Sequence, residues 1–313
     1  MNRHMFPLAL LAACAPAIAS AADLVATPIW ETEAVFKNPE SALFDMERNV
    51  IYVSNVDGDP MGRDGHGFIS RMSPDGQVTD LEWVTGLNGP KGMAIVGNRL
   101  YVADIDTLVE IDINTGTVSH RYPVPDGQFF NDVAADNAGT VYVSDMMTNR
   151  IHRLYNGVFE NWIEGSQLEN PNGLYATDNK LLVGTWGAMK GGFATEVPGH
   201  IKMIDLGSKA VTDFGSDKPI GNMDGIALMA DGSIIATDWM AGALMTIAPD
   251  GTVRQLLDLN QGSADLEYVM NGSIAIVPMM SDGKVVAYQI AEPAPEPVPE
   301  EMPAEGAEPA TQQ

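Results

Sequence analysis

Cysteine is almost missing from this chain: its 313 residues include one, Cys14, close to the N-terminus. Beyond that position a disulfide framework, a thiolate nucleophile and a cysteine-ligated metal are all excluded. Basic residues are scarce too. Against 42 Asp and Glu stand 17 Lys and Arg, a net charge of −25, and gripping a phosphate backbone needs the opposite balance. Nucleic acid is therefore excluded as a partner. The imbalance belongs to the body of the chain, where residues 23–291 carry 16 Lys/Arg and 36 Asp/Glu; it serves solubility or draws cations. No Gly-x-Ser-x-Gly elbow is present for a serine hydrolase. The Gly-rich stretch 187–200 lacks the Gly-Lys-Ser/Thr ending of a phosphate loop and reads instead as an insert within one repeat, a lid being one role open to it. After the N-terminal segment no run is long and apolar enough to span a membrane.

Both termini differ in composition from what lies between. "MNRHMFPLALLAACAPAIASAADLV" offers Arg3, an apolar stretch from Met5 to Ile18 and small residues around "ASAA". Residues 1–22 are expected to be a cleaved export signal, giving a periplasmic or secreted protein. Leu11–Cys14 also resembles a bacterial lipobox, which would make Cys14 a lipid anchor; the short apolar run before it and the Ala-x-Ala site after it favour ordinary cleavage. At the other end, 292–313 is mostly Pro, Glu and Ala and is expected to be an extended, disordered tail.

What fills residues 23–291 is repetition. Six β-branched segments align: "VIYVSN" (50–55), "LYVADI" (100–105), "VYVSDM" (141–146), "LLVGTW" (181–186), "IIATDW" (234–239) and "IAIVPM" (274–279). An apolar strand precedes each, and a third strand, often a fourth, follows. Asp-Gly pairs such as Asp231-Gly232 and Asp250-Gly251 mark hairpin turns. Six units of four short strands describe an all-β, six-bladed β-propeller. The last unit lacks a fourth strand, and the segment 26–36 ahead of the first is free to supply it, closing the ring.

In such a fold the innermost strands run along a central channel, so equivalent first residues form a ring at one mouth. Those residues are Glu40, Lys91, Asn131, Asn172, Asp224 and Asp265, separated by 51, 40, 41, 52 and 41 positions. Glu40, Asn131, Asn172 and Asp224 offer two carboxylates and two amide carbonyls. That donor set suits one hard divalent cation, calcium first, with magnesium, manganese or zinc as alternatives. Taken singly, Asn or Asp beside Gly is ordinary Asx-turn chemistry; the blade spacing is what argues for a site.

These residues resemble the senescence marker protein/gluconolactonase (regucalcin-like) family over about 38–290. The likeness rests on the Glu of "NPESALFDMERNVIYV", on "FND", on "PNG" and on "MDG". It implies that Glu40, Asn172 and Asp224 hold a divalent cation and that Asn131 contacts metal or substrate. The family's enzymes open lactones, the cation polarising the carbonyl. On that mechanism Asp224 acts as general base for a water. Lys91 admits two readings, a surface lysine or a cation that neutralises an oxyanion or a substrate carboxylate. Asp132 and Asp265 are candidates for a supporting role behind the ligands.

The departures from the family bear on the substrate. Its sugar-lactone members carry Glu-Gly-Pro at the first ligand and an Arg two residues before the "FND" Asn; here these are "PES" and Phe129. Phe129 implies a less polar substrate pocket. The function expected is an exported metal-dependent lactonase or esterase acting on a small molecule, the alternative a non-catalytic binding or sensor propeller braced by a cation. His66, His120, His152 and His200 fall at unrelated blade positions and are expected on the surface or in packing. Trp186 and Trp239 are expected to pack blades, with a place near a mouth as the alternative, and the 18 methionines to fill gaps.

Overall fold

The β-branched segments are buried on both faces, which explains their unbroken apolar character. Ile51, Tyr52 and Val53 of the first unit are all buried, whereas an outer strand such as Thr117–Pro123 is largely exposed. The computed structural model describes residues 24–293. Residues 1–22, expected to be an export signal, with Cys14 among them, and nearly all of the 292–313 segment lie outside the described residues.

Among the described residues there are six antiparallel sheets of four strands and one separate two-stranded hairpin. Helix among the described residues is confined to two three-residue 3-10 turns, Ser166–Leu168 and Met270–Gly272. The innermost strands are Pro39–Asp45, Pro90–Val96, Phe130–Ala135, Pro171–Ala176, Met223–Leu228 and Glu267–Val269. Each touches the next, and the sixth touches the first. That cyclic order makes the sheets six blades around an axis. Blade six takes its strands from both ends of the described chain: Val25–Glu31 is outermost, antiparallel to Lys284–Ala291.

The core lies between blades. Tyr52, Ile69 and Leu87 of blade one pack on Met93, Val102 and Ile111 of blade two, and four further interfaces repeat the theme. Each blade thus buries one face against each neighbour, so no blade has a complete core alone. The hairpin insert belongs to blade four, between its second and third strands. It pairs Gly187–Gly191 with Ala194–Pro198.

Candidate functional site at one mouth of the channel

Five inner strands share one irregularity. The first residue of each pairs with the end of the second strand, as in Pro39 with Asn55 and Met223 with Asp238, and the register then shifts before pairing resumes. The residues inside the shift are Glu40-Ser41, Lys91-Gly92, Asn131-Asp132, Asn172-Gly173 and Asp224-Gly225. A β-bulge of this kind re-aims a side chain, and here it does so once per blade at one level of the axis. Glu40, Lys91, Asn131, Asn172 and Asp224 are all buried there.

Where the bulge frees a backbone N–H, a hydroxyl captures it. Ser41, Asp132 and Gly225 donate at 2.9 Å to Ser54, Ser144 and Thr237, each the penultimate residue of a second strand. Ser144 and Thr237 in turn donate to carbonyls of the next blade, Asn172 O at 2.8 Å and Ala264 O at 2.9 Å. These hydroxyls were not singled out in the sequence, although "VSN", "VSD" and "ATD" carry the signal at one register position.

The glycines after the site residues have a different job from the turn role that Asn-Gly and Asp-Gly suggest. Asn172 and Asp224 sit in strands, and Gly173 and Gly225 are not in the left-handed region. A Cβ on Gly92 would overlap Asp132, one on Gly173 the Asp224 carbonyl, and one on Gly225 the backbone of Leu266. Neighbouring inner strands come close enough to admit only hydrogen. The Asx-turn explanation therefore fails for Asn172 and Asp224.

Two oxygens in this ring, Glu40 Oε2 and Asn172 Oδ1, are buried without a hydrogen-bond partner. The Asn172 amide is fixed from its other side, Nδ2 donating to Met223 O at 3.0 Å. Asn131 Nδ2 points at Met146 Sδ, 3.6 Å away. Burial pushes the Glu40 and Asp224 carboxyls well above their usual range. Asp224 and Asp265 add repulsion at Glu40, and Asp265 does so at Asp224, while Lys91 opposes the shift at Glu40 and the Asn172 side chain at Asp224. Lys91 is not a surface lysine: it is 2% exposed. Its Nζ donates to Gly89 O at 2.8 Å and Pro60 O at 3.0 Å and lies 4.5 Å from the Phe129 ring centre. Burial pulls its pKa down, against the charges of Glu40, Asp104 and Asp59.

Above the ring is a cavity of about 140 Å³. Glu40, Lys91, Asn131 and Asp224 contribute its polar lining; Phe129, Met146, Trp186, Phe193, Trp239 and Met280 form apolar walls. Trp186, Trp239, Met146 and Met280 thus face the site rather than merely filling gaps. Asp145 places Phe129, accepting its N–H at 3.0 Å. Asp132 and Asp265 turn away, lining a second cavity of about 220 Å³ formed by later residues of the same inner strands. His66 and His120 are exposed and His152 packs beside Phe130 and Phe159; no histidine lines the site cavity. Among the described residues no three His, Cys, Asp or Glu side chains gather as a metal-ligating group.

No protein-family model matches the chain, and no curated protein matches it by sequence. Solved structures do resemble it. A gluconolactonase from Xanthomonas campestris superposes with a TM-score of 0.59 at 14% identity, over 85% of this chain and 87% of its own. The fold is that of the six-bladed propellers. A streptogramin B lyase gives 0.58 at 13% identity over 86% and 97% of the two chains. An inactive histidine-to-alanine virginiamycin B lyase from Staphylococcus aureus, bound to quinupristin, gives 0.56 at 13% over 85% and 98%. At such identities the likeness is one of fold.

Proposed function

We propose that this propeller is an exported, divalent-metal-dependent hydrolase of lactones or related esters, in the manner of the senescence marker protein/gluconolactonase family. One observation carries the reading: Glu40 Oε2 and Asn172 Oδ1 are buried and unpartnered, on the same ring of bulges as Asp224 and Asn131. Buried polar atoms are nearly always satisfied, so two orphaned acceptors at one level call for an electrophile. The four side chains fit a hard cation, calcium before magnesium, manganese or zinc. Two of its ligands would be amides, which is why no cluster of three His, Cys, Asp or Glu is needed. When bound, such a cation supplies Lewis-acid polarisation of an ester carbonyl and acidifies water. Asp224, on the cavity floor, takes the proton from the attacking water. Lys91, held by two carbonyls, offers positive charge to an oxyanion or to the carboxylate product. The lyase likeness is one of fold at 13% identity and lends no support to elimination chemistry here.

The test is a calorimetric titration of the mature protein with calcium, magnesium, manganese and zinc, followed by a lactone and ester panel with and without chelator. One cation bound with chelator-sensitive turnover is expected. Binding without turnover on any substrate would replace the enzyme with a cation-braced sensor. No binding would dismiss the site.

A further inference from the structure

The hairpin inserted in blade four reaches the site, and its tip contributes to the cavity wall. Phe193, between the two hairpin strands, places its ring 5.5 Å from Phe129 and 6.1 Å from Trp186. Trp186 lies 6.0 Å from Trp239. These are distances of aromatic contact, so four rings from three blades and the insert meet over one space. The hairpin is anchored. Trp186 Nε1 donates to Phe193 O at 2.8 Å, and Asn222 Nδ2 donates to Trp186 O at 2.7 Å and Thr195 Oγ1 at 3.1 Å. At the hairpin base, side chains are barred: a Cβ on Gly187 or Gly199 would strike backbone. Phe193 is therefore held as part of the wall.

Size and polarity then limit the occupant. A cavity of about 140 Å³ is close to the roughly 150 Å³ apolar cavity known to accept one benzene. Hydroxyls against Phe129, Trp186, Phe193 and Trp239 would lose water without gaining partners. An anionic group set against those rings would likewise lack a partner, because Lys91 Nζ already donates to two carbonyls. We infer that the cavity takes a small, neutral, apolar carbonyl compound of single-ring size, such as an aryl ester or an alkyl-substituted lactone, with Phe193 gripping its apolar part. Polyhydroxylated sugar lactones are excluded. This deepens the hydrolase reading and rests on it for the ester or lactone class, while the pocket itself is tested without turnover.

Calorimetry of the mature, calcium-supplemented protein with phenylacetone, a ketone that keeps the shape of phenyl acetate without a cleavable bond, provides that test. The native chain is expected to bind it. Phe193→Ala should weaken binding by about fivefold or more and Phe193→Leu by less than about threefold, with unchanged thermal melts. D-glucono-δ-lactone should not compete. Equal affinity of the native chain and Phe193→Ala, or competition by the sugar lactone at similar concentration, would overturn the inference. Chelator-sensitive hydrolysis of sugar lactones without phenylacetone binding would overturn it and leave the hydrolase intact. Phenylacetone binding lost in Phe193→Ala, with no turnover of any ester, would uphold the pocket and remove the hydrolase.

Discussion

The two cavities share inner strands and both hold inward-turned acids, yet they treat them oppositely. At the far cavity each acid has a donor. Asp132 accepts the N–H of Leu174 from the next blade and of Val133, both at 2.6 Å. Asp265 accepts the Ser41 hydroxyl at 2.6 Å, and Glu267 the Phe44 N–H at 3.2 Å. All three bonds to another blade act as clasps. At the site cavity Glu40 and Asn172 each keep a buried oxygen that nothing in the chain satisfies. Burial alone does not mark function here; an unmet acceptor does.

The sharpest way to break this contrast is Asp224→Ala. Removing a carboxylate from the open ring should lower cation affinity by at least about 100-fold while the β-sheet circular dichroism is retained. Unchanged affinity in titration would sink the assignment. The converse substitution, Asp132→Ala, removes a clasp. It strands two buried N–H groups and should lower stability by about 2 kcal/mol, or roughly 4–8 °C in melting temperature. Its cation affinity should stay within about threefold of native; loss of binding would merge the two cavities into one site.

A smaller effect separates them by pH. Burial pushes Glu267 from 4.5 up to about 7, with the Asp265 charge adding to it and the Phe44 N–H opposing. The folded state therefore holds this proton more tightly than the unfolded chain does. The contribution is complete below about pH 4.5 and fades as pH rises through about 7. A shift of that size corresponds to about 3 kcal/mol, and because Glu267 is only partly buried solvent screening reduces the expectation to about 1.5 kcal/mol. Glu267→Gln should melt with the native protein at pH 4 and above it at pH 8. Equal melts at both values would show that water fully reaches this end.

Much of the architecture was legible because it repeats. Strand, turn and strand recur in six copies, and each copy reports the same local preference, so the blade count follows from self-similarity. The ring positions were legible for the same reason, since Glu40, Lys91, Asn131, Asn172 and Asp224 each occupy the second place of an inner strand. Other features were not. The glycines of "PNG" and "MDG" looked like turn residues, and their true constraint is the neighbouring blade's backbone. Lys91 had an alternative reading as a surface residue because nothing local shows that Phe129, 38 positions on, roofs its ammonium.

The sequence by itself determined the all-β repeat, the blade spacing and the choice of oxygen-bearing side chains at one register position, because these depend on neighbours along the chain. Only the tertiary structure decided which acids are clasps and which are open, and that Trp186, Trp239, Met146 and Phe193 wall one cavity. Those outcomes rest on partners from other blades, as with Ser41 and Asp265, 224 positions apart. A buried polar atom is satisfied or orphaned by what the folded neighbours bring to it, and no local pattern carries that information.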